Sequence, residues 1–231
     1  MSLTTVLSIS LIPAKARIYE DGVRRLAERA RQQRDAFHWR TYQVVAGQQG
    51  VIHFVSQAQD FAELAKRDVT PQALVLRLLG EKEGAKLGEE LASCSAASRY
   101  TIARERPDLS YPPDSRTEVL PMSVVTVLRT RPGHQDAAED LLRKIAEAIP
   151  KVDDPARVVA YQTLIGDLRN LWTVRPIHSL ADLDRQLPPG ELLTKAFGAA
   201  EGGLIARSGT EALETVERSI NLLRPDLSNP S

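Results

Sequence analysis

Histidine is the side chain best suited to move a proton or orient a ligand near neutral pH, and the chain has four: His38, His53, His134 and His178. No two of them share the spacing of one helix face, H-E-x-x-H is missing, and Cys94 is the only cysteine. A metal site is therefore unsupported, as is any disulfide framework. G-x-S-x-G, the P-loop pattern and G-x-G-x-x-G are also missing, which removes the common signatures of hydrolases and nucleotide-binding proteins. His53 stands apart because it falls inside a strand-like segment, V-I-H-F-V-S at 51–56, where a ring can be held between neighbouring strands. His38 and His178 fall at element ends, and His134 follows Pro132-Gly133 at the start of a helix; these three read as surface groups. His38, Trp39 and Arg40 together could stack on a planar ligand.

Comparison of the chain with itself shows what must position these groups. RPDLSYP at 106–112 returns as RPDLSNP at 224–230, an offset of 224 − 106 = 118. The same offset carries Gly80, Glu83 and Gly84 onto Gly198, Glu201 and Gly202, and Val6 and Ile9 onto Val124 and Val127. An offset of 119 aligns Tyr42-Gln43 with Tyr161-Gln162 and sets His53 against Trp172. The chain thus reads as two domain-sized repeats, 1–113 and 119–231, with a linker at 114–118 inside the Pro-rich stretch 111–121.

Within the first repeat, Leu7, Ile9 and Leu11 alternate with Ser8 and Ser10, the period of a half-buried strand. Ile18, Val23, Leu26, Ala27, Ala30 and Phe37 come next at helical spacing. Segments 38–46 and 50–56 flank Gly47-Gln48-Gln49-Gly50 and pair as a hairpin. Ser56 and Gln59 suggest a cap for a short helix, and Thr70-Pro71 opens another that Gly80 closes. The second repeat has the same plan. The last stretches, 84–105 and 202–223, read as helical because Leu213, Val216, Ile220 and Leu223 form a stripe, with a fourth strand at Tyr100–Ala103 as the alternative. Strand–helix–strand–strand–helix twice over implies an α+β protein, with antiparallel sheets covered by helices on one face.

Composition narrows the function. Thirty basic and thirty acidic residues leave no net charge to attract nucleic acid or an anionic membrane. The arginines at 24, 25, 29, 31 and 34 alternate with acids as a solvated face. The apolar start of the chain is broken by Ser8, Ser10 and Pro13, so it reads as a strand, and the expected location is the cytoplasm.

The run VVTVLRTRPGHQDAAEDLL at 124–142, a strand, then Pro132-Gly133, then an amphipathic helix, is similar to the opening of antibiotic biosynthesis monooxygenase-like proteins. These belong to the dimeric α+β barrel superfamily, built from ferredoxin-like units. The resemblance implies that the two repeats pack sheet to sheet as a barrel within one chain, as a monomeric pseudo-dimer or a homodimer. It also implies two functional classes: an uncharacterised barrel binding a small, partly apolar ligand between the sheets, or a cofactor-independent monooxygenase acting on an aromatic or polyketide-like substrate. Haem-degrading relatives combine an interior Asn, a Trp and a helical His. Here the first strand offers Ser8 and Ser10 instead, no helix after the hairpin holds a His, and no cofactor is expected. The expected ligand-binding residues are His53, Trp172, Ser8, Ser10, Thr126, Tyr42 and Tyr161, with His53 the best catalytic candidate. Ser8 and Ser10 would have become Thr126 and Leu128 in the second repeat, making the site asymmetric.

Overall fold

The alternating segments become strands and the amphipathic ones helices, in the same order in both repeats. The computed structural model describes residues 2–66, 70–113 and 119–230; the expected linker 114–118 lies outside them. The first repeat runs β1 (Leu3–Leu11), α1 (Ala16–Gln33), β2 (Arg40–Ala46), β3 (Val51–Ala58), α2 (Phe61–Ala65), α3 (Pro71–Leu79), α4 (Glu81–Cys94) and β4 (Ser95–Glu105). The second runs β5 (Met122–Thr130), α5 (Gln135–Lys151), β6 (Val159–Ile165), β7 (Asn170–Ile177), α6 (Pro189–Phe197), α7 (Ala199–Glu211) and β8 (Leu213–Leu223). Strand neighbours take the order β1-β3-β2-β8-β5-β7-β6-β4 around a closed barrel, the α+β architecture expected from the repeat.

The chain packs as two compact units that do not coincide with the contiguous repeats. One comprises residues 1–102 and 222–231, the other residues 103–221. Each RPDLS segment explains its own placement by locking onto the unit that holds it. In the first unit, the Arg224 guanidinium donates to Asp226 at 2.9 Å, to Glu20 of α1 at 3.0 Å and to Gln43 of β2 at 2.6 Å. Ser228 Oγ donates to the Arg224 carbonyl at 2.7 Å and accepts from the Thr41 amide at 2.9 Å, and Leu227 is fully buried. In the second unit, Arg106 makes the same bonds to Asp108, Glu139 and Gln162, and Leu109 fills the core. Gln43 and Gln162 of the repeated Tyr-Gln pairs are thus parts of these clamps.

The helix-facing cores show which strand residues point which way. In the first unit Ile9, Leu11 and Ile52 pack with Tyr19 and Val23 of α1 and Cys94 of α4. In the second, Leu128, Ala160 and Leu171 pack with Leu142 and Ile145 of α5 and Leu192 of α6. Each such buried aliphatic side chain contributes about 1.5–3 kcal/mol relative to exposure.

Two close helix packings recur at the repeat glycines. Gly80 and Gly198 join α3 to α4 and α6 to α7 at φ of 79° and 85°, a backbone region open almost only to glycine. Four residues on, a Cβ at Gly84 would lie 2.8 Å from Leu76 Cα, and one at Gly202 would lie 2.5 Å from the Leu193 carbonyl oxygen. These glycines let adjacent helices touch backbone to backbone.

Three expectations change. The stretches read as long final helices break at Cys94 and Glu211, and each chain segment then continues as a strand, β4 in the first repeat and β8 in the second. Val216, a member of the supposed apolar stripe, is exposed, so the three- and four-residue spacing there does not record a buried helix face. The first short helix is capped by Asp60, whose carboxylate accepts from the Glu63 amide at 2.8 Å, while Ser56 belongs to β3. Trp39 is core, with its Nε1 donating to the Leu227 carbonyl at 2.9 Å, so it is not available to stack on a ligand.

Candidate functional site

Strand register brings three of the expected residues into one row across the first unit's sheet. Ser8 of β1 stands opposite His53 of β3, and His53 stands opposite Tyr42 of β2. Ile9 and Ile52 face the helices, so alternation puts Ser8, His53 and Tyr42 on the opposite, helix-free face. Ser10, two residues beyond Ser8 and opposite Val51, shares that face. All four side chains are half-buried.

Ser8 Oγ and His53 Nδ1 are 2.8 Å apart, a hydrogen bond across the strands. Burial pushes the His53 ring down to a pKa of about 4. The ring is therefore neutral at pH 7 by a factor of about a thousand, leaving Nε2 to meet a ligand as donor or acceptor. Ser8 decides the tautomer: when its hydroxyl donates to Nδ1, Nε2 carries the hydrogen. Burial also raises the Tyr42 hydroxyl above its ordinary value, so it remains a neutral donor. The row itself offers neutral hydrogen-bonding groups, and the Arg40 guanidinium, two residues before Tyr42 on β2, adds a positive charge that acts on Tyr42. Ser8 and His53 have the contact of a nucleophile–base pair, but among the described residues no acid is bonded to the imidazole, and a ring of pKa about 4 is a weak base for activating a hydroxyl.

The corresponding row in the second unit is Val127, Trp172 and Tyr161, again directly opposite one another across three strands. Trp172 and Tyr161 ring centroids are 5.8 Å apart, and Trp172 Nε1 donates to Thr163 Oγ1 at 2.9 Å. This row packs with Ala103, Val159 and Val174, on the face away from the helix core. Both rows hold a tyrosine, but Val127 and the Trp172 ring stand where the first unit's row has the Ser8 hydroxyl and the His53 imidazole.

Thr126 does not join Trp172. It stands opposite Thr173, so it falls with Leu128 and Leu171 on the helix-packed face. Element bounds give the reason: β1 and β5 start at 3 and 122, an offset of 119, as do β2 with β6 and β3 with β7. The offset becomes 118 only later, where α3 and α6 start at 71 and 189. Ser8 and Ser10 therefore correspond to Val127 and Arg129. The missed residue, Val127, was recoverable by carrying the Tyr-Gln offset back into the first strand.

Among the described residues, no group of three or more His, Cys, Asp or Glu side chains is placed to hold a metal ion. No protein-family description matches the sequence, and no curated protein matches it. Solved structures match over nearly the whole chain at low identity. An anthrone oxidase-like protein is 14% identical with a TM-score of 0.58, covering 100% of this chain and 94% of its own. A candidate monooxygenase from Lactobacillus acidophilus NCFM is 4% identical with a TM-score of 0.56, covering 99% and 97%. Chlorite dismutase from Candidatus Nitrospira defluvii is 10% identical with a TM-score of 0.54, covering 97% and 92%. The chain has the fold of the dimeric α+β barrel superfamily, with both ferredoxin-like repeats in one polypeptide.

Proposed function

We propose that the protein binds a small, partly apolar molecule on the helix-free face of its first unit, through His53, Ser8, Ser10 and Tyr42. The observation that carries this reading is the 2.8 Å bond between Ser8 and a half-buried, neutral His53. Packing alone does not explain it, because an aliphatic side chain would fill such a site without the desolvation cost of an imidazole. A neutral ring with one nitrogen fixed by serine suits a ligand hydroxyl or carbonyl, and Tyr42 supplies a second donor beside it. The row of Trp172, Tyr161 and Val127, with indole and aliphatic side chains in place of imidazole and hydroxyl, gives the second unit's face a different chemistry, so no symmetric second copy of this site is expected.

Turnover is the alternative reading, favoured by the fold shared with an anthrone oxidase-like protein and a candidate monooxygenase. In it His53 would take the proton of an electron-rich aromatic that then reacts with dioxygen. A pKa of about 4 weighs toward binding, since proton transfer to such a ring is uphill unless the bound anion stabilises the imidazolium. The test is a thermal-shift screen of hydroxylated aromatics and of the aromatic ketone anthrone on the parent protein and the His53→Phe and Ser8→Val variants. A stabilisation lost in both variants supports the binding site; an unchanged response in His53→Phe refutes it. Oxygen consumption with the same compounds then separates turnover from binding.

A further inference from the structure

Arg175, on β7, lies on the other side of the sheet from Trp172, in a position unusual for a guanidinium. Its side chain is largely withdrawn from solvent, and its Nη1 donates to a neutral acceptor, Gln186 Oε1, at 3.3 Å. Asp154 is the nearby acid, but its two oxygens already accept the Ala156 and Leu187 amides at 2.8 and 2.7 Å. Burial lowers the Arg175 pKa, and a second positive charge, Arg218 of β8, lowers it further. Arg218 in turn points its Nε at Thr126 Oγ1, 3.3 Å away. Thr126 stands opposite Thr173, two residues before Arg175 on the same strand, so Thr126 and Arg175 are diagonal neighbours on one face. Two guanidinia thus converge on one patch, each tethered to a neutral oxygen. A partly buried cation normally has a carboxylate partner, because desolvating it without one is costly.

We propose that this patch of the second unit is an oxyanion site, in which Arg175 and Arg218 hold a phosphate or carboxylate group with the Thr126 hydroxyl beside them. Guanidinium forks match the planar or tetrahedral oxygens of such groups and can bind them through paired N–H donors. Arg218 is exposed, which leaves the patch open to solvent from that side. The first unit has no equivalent: the positions matching Arg175, Thr126 and Arg218 are Ser56, Leu7 and Tyr100, and Ser56 Oγ is bonded to Thr5 Oγ1 at 2.7 Å. The site is thus a property of the second repeat and does not rest on the ligand face of the first.

The experiment titrates inorganic phosphate and, separately, benzoate against the whole protein by calorimetry and thermal shift, with chloride at matched ionic strength as the control. Saturable stabilisation by at least one oxyanion, weakened about tenfold or more in both Arg175→Met and Arg218→Gln, is expected from the loss of a charge-assisted hydrogen bond. Arg175→Met without added anion should melt no lower than the parent, since it removes a half-buried charge that donates to a neutral acceptor and lies beside a second guanidinium. Arg218 is exposed, so Arg218→Gln keeps the test decisive if Arg175→Met folds poorly. No response beyond chloride in the parent overturns the proposal, as does a response retained in Arg218→Gln or in a folded Arg175→Met. The phosphate and benzoate arms separate a phosphorylated ligand from a carboxylic acid.

Discussion

At His53 two forces act on the same ring: burial disfavours its charged form, and Ser8 holds its neutral form in place. The consequence for stability has a definite sign. The folded pKa of about 4 lies below the ordinary 6.5, so between those values the unfolded chain binds the proton and the folded chain does not. Stability attributable to this group is therefore complete above pH 6.5 and falls as pH drops toward 4. The loss amounts to at most about 3 kcal/mol. Urea unfolding of the parent and of His53→Gln at pH 7 and pH 4.5 should show a smaller acid loss in the variant; equal losses would mean the ring titrates normally. Acid-linked groups such as Asp226, held down to about 2 by Arg224 and then by Arg24, act below this window and do not confuse it.

Among the elements, the glycine pairs carry the sharpest expectations. Gly198 sits at φ 85° with open space around it, so Gly198→Ala should cost on the order of 1 kcal/mol or more through backbone strain alone. Gly202 has ordinary helical backbone but no room, so Gly202→Ala should cost more, about 2–3 kcal/mol, by pushing α7 off α6. Denaturant midpoints of the two variants give the order; a neutral Gly202→Ala would contradict the close packing. Gly80 and Gly198 were readable from the sequence because a helix stop at a repeated glycine has one dominant local cause. The Ser8–Leu11 alternation likewise revealed the strand and both its faces. The Ser8–His53–Tyr42 row was only half legible: alternation gives faces, but which residues stand opposite one another depends on register. The second-repeat partner was misassigned for that reason, since an error of one residue in the offset moves Thr126 to the other face. Leu213 to Leu223 defeated pattern reading because hydrogen bonds to neighbouring strands, not local apolar spacing, decide its conformation. Arg175 was visible as a lone charge inside an apolar strand, W-T-V-R-P-I, but its bond to the neutral Gln186 oxygen and its approach to Arg218 are three-dimensional facts.

At the scale of the whole molecule, the repeats and the compact units differ at both tails: the first unit takes its last segment, 222–231, from the second repeat, and the second unit takes residues 103–113 from the first. A fragment of residues 1–113 lacks Arg224, Leu227 and Ser228, which tie down α1 and β2. It retains RPDLSYP, the same motif, in its own tail. Sedimentation should therefore find the fragment folded only as a dimer that exchanges these tails; a well-folded monomer would contradict this account of the clamps. No helix among the described residues is long and apolar enough to cross a membrane. The proposed function turns on the Ser8–His53–Tyr42 face of the first unit. Its most direct test is a titration of the aromatic compound that stabilises the parent most into protein labelled with ¹⁵N at histidine, following all four imidazoles by NMR. The expected result is a saturable change at His53, with His38, His134 and His178 unmoved and the change abolished in Ser8→Val. Saturable binding that leaves the His53 resonances in place would contradict a site built on Ser8, His53 and Tyr42.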